Sequence, residues 1–146
     1  MAQVSATQSI DINAAPDAVL SALSDYTVVR PQILPEQYLD YQVVSGKSGA
    51  GTVAQWTLQA TKKRSRNVKA TVTADANSIT ETDANSTMVT TYTVTPAGSG
   101  SKVSTTTQWQ GAGGIGGFFE KTFAPKGLNR IQSALLGNLK TRLETS

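Results

Sequence analysis

The residues able to do acid–base or metal chemistry in this chain are few, because it contains neither histidine nor cysteine. It therefore lacks the side chain best suited to proton transfer near neutral pH, and it has no thiolate for a metal site or a disulfide. The remaining candidate acids and bases are Tyr92, Glu81, Asp83 and Asp40. They form no paired-carboxylate or nucleophile–base motif, so the sequence predicts no catalytic residue, no metal and no cofactor.

Three charged residues are candidates for a role in a ligand pocket: Glu81, Asp83 and Arg30. Glu81 and Asp83 lie on a predicted strand otherwise lined by threonine, where either is able to serve as a lone acid in a pocket. We expect both on the surface. Arg30 follows the first predicted helix and is able to bind a carboxylate at a pocket rim, but a surface ion pair is its expected role.

A glycine-rich segment, GAGGIGGFFEKTF at residues 111–123, contains the pattern G-x-G-x-x-G. A dinucleotide-binding loop of this type needs a following βαβ unit and an acidic residue about 20 positions further on. No strand is predicted after the next helix, and the corresponding position is Leu136. We interpret the glycines as a connection between a strand and a helix, with Phe118, Phe119 and Phe123 as candidate plugs over a cavity mouth.

The net charge of +3 and the sequence pI near 9.3 point only weakly to anionic partners. The densest basic run, at residues 62–69, contains no aromatic side chain on which bases could stack. We interpret it as a solvated turn, with contact to an anion or a membrane surface as the alternative, and we predict no nucleic-acid partner.

The length of 146 residues fits one domain, residues 1–146. No stretch approaches the roughly 18 apolar residues that a membrane span needs, and the N-terminus does not resemble a signal peptide. We therefore expect a cytoplasmic protein without stable membrane insertion.

Residues 3–12 alternate as a first strand, and Pro16 begins a short amphipathic helix that ends near Asp25. A second short helix or turn is predicted within residues 27–34. The hydrophobic period is then two for about seventy residues, which indicates six strands separated by hairpin turns and hence an antiparallel sheet. The predicted strands are Leu39–Val44, Gly51–Ala60, Arg66–Ala74, Ser78–Thr82, Met88–Val94 and Lys102–Gln110.

One face of this sheet is apolar, and the other carries mainly glutamine, lysine, arginine and threonine. A helical period returns near Gly116, and we predict a regular helix from about Pro125 to the end that covers the apolar face. Many positions on that face are alanine, which leaves space beneath the helix. The predicted apolar face consists of Ala54, Trp56, Leu58, Ala60, Val68, Ala70, Val72, Ala74, Met88, Tyr92, Val94, Val103 and Trp109.

This α+β order resembles the helix-grip fold of the START-like (SRPBCC) superfamily, in particular its bacterial polyketide cyclase/dehydrase-like members. The resemblance covers essentially the whole chain and lies in three segments: SIDINAAPDAVLSALSDY (9–26), SGKSGAGTVAQWTL (45–58) and APKGLNRIQSALLGNLKTRLE (124–144). It implies a curved seven-stranded antiparallel sheet wrapped around a long C-terminal helix, with two short helices after the first strand. These are scaffold motifs, so the resemblance implies only a broad functional theme.

That theme is a cavity between sheet and helix that holds a hydrophobic or amphipathic small molecule, of lipid, sterol or polyketide type. A cyclase, aromatase or dehydratase is the first alternative, and a protein-interaction module with an incidental cavity is the second. The candidate ligand-binding residues are Trp56, Leu58, Val72, Tyr92, Trp109, Phe118, Phe119, Phe123, Ile131 and Leu135.

Overall fold

The computed structural model describes residues 3–46, 48–61, 64–110 and 125–145. Within these ranges the chain forms one antiparallel sheet of seven strands, in the order β1-β7-β6-β5-β4-β3-β2, together with helices α1–α3. The strands are β1 (Gln3–Ile12), β2 (Tyr38–Ser45), β3 (Val53–Thr61), β4 (Arg64–Ala74), β5 (Ser78–Asp83), β6 (Val89–Ala97) and β7 (Gly100–Gln110). The helices are α1 (Pro16–Ser24), α2 (Val29–Ile33) and α3 (Pro125–Thr145). The predicted helix-grip fold is confirmed.

Side chains alternate across the sheet between the core and solvent, as the period of two predicts. The register pairs Trp56 with Val68 and Ala54 with Ala70, so the core positions of neighbouring strands lie in common rows. Ala74, which we expected on the core face, is exposed. It is the last residue of β4, beside the hairpin turn to β5.

The outer face carries a row of hydroxyl groups across five strands. Thr7, Thr106, Thr91, Thr80 and Thr73 are consecutive cross-strand partners. Thr7 and Thr106 place their hydroxyls 3.3 Å apart, and those of Thr80 and Thr91 are 3.5 Å apart. β-Branched side chains of this kind fit a pleated surface that is half in contact with water.

The long helix α3 lies against the concave face, as predicted. Its buried residues recur every three or four positions, so a single apolar stripe faces the sheet. The amide of Asn138 donates to the Ile33 carbonyl at 3.0 Å, and the ammonium of Lys140 donates to the Asp11 carbonyl at 2.9 Å. Glu144 accepts from the Asn13 backbone N–H at 2.8 Å. These bonds attach α3 both to α2 and to the end of β1. The buried residues of the stripe are Leu128, Ile131, Gln132, Leu135, Leu136 and Leu139.

The α1–α2 corner directs one arginine into the core. Pro16 is at the start of α1, where its missing N–H costs nothing, and Val19 and Leu23 are completely buried. The Asp25 carboxylate ends α1 by accepting hydrogen bonds from the backbone N–H groups of Thr27 and Val28. This turn reverses the chain, and the first turn of α2 then carries Arg30 beneath the sheet.

Candidate functional site

A buried ion pair lies at the centre of the concave face. Arg30 and Glu81 are 2% and 6% exposed, and the Arg30 Nη1 atom lies 2.8 Å from Glu81 Oε2. Asp83 is also buried. The expectation that these three residues lie on the surface was therefore wrong. The physical reason for the two acids is the alternation of β5, in which Ile79, Glu81 and Asp83 share the core face.

The arginine has hydrogen bonds on each nitrogen of its guanidinium group. Besides the bond to Glu81, its Nε donates to the Leu23 carbonyl at 2.9 Å, and Nη2 donates to the Tyr26 hydroxyl at 3.2 Å. The Tyr26 hydroxyl in turn donates to Glu81 Oε2 at 2.6 Å. A buried charge of this kind is tolerated only when it is paired and hydrogen-bonded, and here both conditions are met.

Two tyrosine rings flank the same guanidinium group. Its central carbon lies 4.4 Å from the centre of the Tyr26 ring and 4.7 Å from that of Tyr92, which are cation–π distances. Burial works to lower the pKa of Arg30, but Tyr26, Glu81 and Tyr92 outweigh it, so the pKa lies above its ordinary value. Burial, reinforced by the nearby Glu81 carboxylate, raises the pKa of Tyr92 and of Tyr26.

Asp83 has different hydrogen-bond partners from Glu81 and lies outside the ion pair. Its carboxylate accepts from the backbone N–H groups of Lys69 and Asn85, both at 3.0 Å, and from the Ser86 hydroxyl at 2.7 Å. These bonds hold the β5–β6 turn against β4. The fourth acid candidate, Asp40, is exposed on β2.

A small cavity lies between the sheet and α3, next to this ion pair. Its volume is about 10 Å³, which is room for about one water molecule. One part of the lining is apolar and aromatic, and the other part is polar. The described lining residues are Tyr38, Trp56, Leu58, Val68, Ala70, Glu81, Asp83, Met88, Thr90, Leu128 and Gln132.

The predicted ligand-binding residues divide into three groups. Trp56 and Leu58 line this cavity. Five more candidates are buried in the core but are not among its described lining residues: Val72, Tyr92, Trp109, Ile131 and Leu135. Phe118, Phe119 and Phe123 lie outside the described residues, as does the whole of the glycine-rich segment. A ligand-binding role for all ten stays a prediction.

The aromatic wall depends on an irregularity in β2. The rings of Tyr38 and Tyr41 lie 5.5 and 6.1 Å from the Trp56 ring, although residues three apart on a regular strand face opposite sides. The register between β2 and β3 shifts between Leu39 and Gln42, and Asp40 has a left-handed φ of 54°. This bulge turns both tyrosines towards Trp56.

Tyr38 separates the cavity from a wide groove on the surface. The groove, of about 530 Å³, lies between α2 and β2, and its lining includes Leu34, Pro35, Tyr38 and Tyr41. Tyr38 is the residue that borders both the groove and the cavity among their described lining residues. The Tyr41 hydroxyl is fixed by a 2.5 Å hydrogen bond to the Tyr26 carbonyl.

The polar part of the lining continues into the interface with α3. Gln132 is within 3.5 Å of the Thr105 hydroxyl and 3.4 Å of the Thr107 hydroxyl. The hydroxyls of Thr107 and Thr90 are hydrogen-bonded at 2.9 Å. Thr90 on β6 is the cross-strand partner of Glu81 on β5. A line of polar groups therefore runs from the helix to the ion pair.

The described residues provide no metal site. Nowhere within the described ranges do three or more histidine, cysteine, aspartate or glutamate side chains come together. Likewise, none of the helices in those ranges has the length and apolar character that a membrane crossing requires.

A family model and a solved structure each match nearly the whole chain. A family model described as "Polyketide cyclase / dehydrase and lipid transport" matches residues 3–144. The solution structure of KanY protein is 58% identical, with a TM-score of 0.91 over 99% of both chains. The comparison with curated proteins gave no match.

More distant structures share the fold alone. Protein TTHA0849 from Thermus thermophilus is 18% identical, with a TM-score of 0.76 over 97% of this chain and 98% of that one. A norcoclaurine synthase point mutant from Thalictrum flavum, in complex with a transition-state analogue, is 14% identical, with a TM-score of 0.73 over 99% and 96%.

The ion pair yields a prediction about stability. We expect Arg30→Met to lower the free energy of unfolding by about 3–5 kcal/mol, because Glu81 is left as an unpaired buried charge. The double variant Arg30→Met/Glu81→Gln removes both charges and should recover at least half of that loss. Urea unfolding at neutral pH measures both values, and a double variant as unstable as the single one would contradict this account.

The tyrosines yield a prediction about pH. All four tyrosines of the chain, Tyr26, Tyr38, Tyr41 and Tyr92, have a raised pKa, with burial as the largest cause. Above pH of about 10 the unfolded chain releases phenolic protons that the folded protein retains, so the folded state is fully favoured below that pH and loses stability above it.

The expected loss is about 1.4 kcal/mol per pH unit for each tyrosine that titrates only on unfolding. Phenolate absorbance near 295 nm and circular dichroism should therefore change together in an alkaline titration. Phenolate absorbance that rises near pH 10 while the protein stays folded would contradict the prediction.

Proposed function

Because this chain belongs to the polyketide cyclase/dehydrase and lipid transport family, we propose that it binds a hydrophobic or amphipathic small molecule between the sheet and α3. The observation that carries this proposal is the two-sided lining of the cavity. Trp56, Leu58 and Met88 offer apolar surface, and Glu81 and Thr90 offer polar groups. Small-molecule sites are typically apolar with a few placed polar groups. The ligand class proposed is lipid-, sterol- or polyketide-like.

The cavity must open for such a molecule to enter. A volume of about 10 Å³ holds no organic ligand, but the adjoining groove offers about 530 Å³. Rotation of the Tyr38 ring would join the two spaces, since its side chain borders both. The proposal is supported by the fold shared with a norcoclaurine synthase that is described in complex with a transition-state analogue.

A second candidate function is proton abstraction from a ketone-like substrate. It is favoured by one observation: Glu81 is a cavity-lining carboxylate whose Oε2 accepts the hydrogen bonds from Arg30 and Tyr26, so Oε1 is the oxygen that we propose for a substrate. A general base must be within hydrogen-bond reach of the proton that it removes. Asp83 is less suitable, because both of its oxygens accept hydrogen bonds in the β5–β6 turn.

Ligand binding is testable with the neutral fluorophore N-phenyl-1-naphthylamine. We expect its fluorescence to rise on binding to the wild-type protein, and its affinity to increase about tenfold in Tyr38→Ala, because the ring no longer has to be displaced. Leu39→Ala is the matched control, since Leu39 is an exposed residue on the same strand. Absence of binding to both the wild type and Tyr38→Ala would refute the proposed site.

Proton abstraction is testable separately with 1-phenyl-1,3-butanedione in deuterated buffer. A general base would speed the exchange of the protons between the two carbonyl groups, which NMR measures directly. We expect Glu81→Gln to lower any such rate enhancement at least tenfold, while Asp40→Asn retains it. An enhancement that survives in Glu81→Gln would exclude Glu81 as the base.

A further inference from the structure

The cavity is lined by polar groups that have no hydrogen-bond partner among the described residues. Trp56 Nε1 is buried and is unpaired within that part of the chain. The Tyr38 hydroxyl and Glu81 Oε1 also make no hydrogen bond among the contacts of the described residues. All three side chains line the same cavity. A buried N–H group is almost always hydrogen-bonded, so the unpaired Trp56 indole N–H beside the Glu81 and Tyr38 oxygens points to a missing partner.

The chemistry of these groups defines that partner. Glu81 Oε1 accepts a hydrogen bond, Trp56 Nε1 donates one, and the Tyr38 hydroxyl does either. A ligand group that both donates and accepts satisfies this set, and a neutral hydroxyl is the smallest such group. We therefore propose that the cavity binds the hydroxyl end of an alcohol or phenol, with Glu81 as the hydrogen-bond acceptor that selects it. This inference rests on the proposed ligand-binding function and specifies the ligand's polar group.

The surrounding charges disfavour ionised ligands. A ligand carboxylate would be placed beside the Glu81 carboxylate, which is largely buried, and like charges repel strongly in such surroundings. A ligand cation would gain little, because Arg30 already balances Glu81 at 2.8 Å. A neutral hydroxyl avoids both costs and donates a hydrogen bond to the carboxylate of a largely buried side chain.

The position of Glu81 suits it to this selection. Arg30 and Tyr26 both donate to Oε2, so they fix the carboxylate on one side, and neither of these bonds uses Oε1. The Tyr26 ring and the Tyr92 ring hold Arg30 between them, which prevents the guanidinium from turning away. The carboxylate is therefore oriented before a ligand arrives, and binding costs little further ordering.

Three probes of similar shape test the inference: 2-naphthol, 2-methylnaphthalene and 2-naphthoate. NMR titration of the labelled protein gives each affinity, and the Trp56 indole N–H signal reports whether a probe enters the cavity. For the wild type we expect 2-naphthol to bind about tenfold more tightly than either of the others. The Trp56 signal should shift with 2-naphthol in the direction of a stronger hydrogen bond.

Two variants test whether the Glu81 carboxylate and the Tyr38 hydroxyl cause the preference for 2-naphthol. Glu81→Gln should reduce the preference for 2-naphthol over 2-naphthoate about tenfold, because the repelling charge is gone. Tyr38→Phe should weaken 2-naphthol by a few-fold and leave 2-methylnaphthalene unchanged. Tyr41→Phe is the matched control, since the Tyr41 hydroxyl already donates to the Tyr26 carbonyl. If Glu81→Gln does not fold, Arg30→Met/Glu81→Gln takes its place.

The outcomes separate this inference from the proposed function. Equal affinities for the three probes, with shifts at Trp56, would leave the binding site in place and overturn the hydroxyl selection. The same conclusion follows if Glu81→Gln retains the full preference. If no probe shifts the Trp56 signal, both the selection and the interior site are refuted.

Discussion

The structure depends on the burial of one charged pair, Arg30 with Glu81, beneath a sheet whose other core residues are mostly apolar. Removing two ions from water costs several kcal/mol each, and Coulomb attraction alone repays this only with good geometry. Here the cost is offset by the hydrogen bonds of the guanidinium to Leu23 and Tyr26, and by the aromatic rings of Tyr26 and Tyr92. The burial of apolar side chains explains why the sheet packs against α3. It does not explain why a glutamate stands in the middle of this face, where Arg30 and Tyr26 both donate hydrogen bonds to it.

Two local irregularities in the backbone position the side chains around the ion pair. The Asp25 turn between α1 and α2 brings Arg30 under the sheet, and the bulge at Asp40 brings Tyr38 and Tyr41 to Trp56. Each is a small departure from regular structure, and together they place an aromatic wall beside a fixed carboxylate. The wall and the carboxylate lie on strands β2, β3 and β5, so a stable sheet sets their separation and loops are not needed for it.

The sequence predicted the scaffold well and the site only in part, and the reason is physical. Strand periodicity, hairpin turns and the stripe of α3 are local patterns, so the fold and element boundaries followed from them. The same parity rule, applied from Ile79 along β5, places Glu81 and Asp83 inside. The general preference of charged residues for the surface predicts the opposite placement, and on β5 the alternation of the strand prevails. The burial of Arg30 and the bulge at Asp40 depend on contacts between distant segments, which a local pattern does not encode.

The small volume of the cavity, about 10 Å³, sets the cost of binding the proposed ligand. A ligand that buries about 300 Å² of apolar surface gains about 7.5 kcal/mol at 25 cal/mol per Å². Association itself costs at least about 4 kcal/mol of this free energy. Moving the Tyr38 ring away from Trp56 costs about 1 kcal/mol more, in addition to the apolar area that the two rings bury. The remainder corresponds to weak binding if apolar contact acts alone. A hydroxyl that satisfies Glu81 Oε1 adds a charge-assisted hydrogen bond to a fixed acceptor. For the proposed ligand, the polar contact would therefore supply the selectivity that apolar contact alone does not.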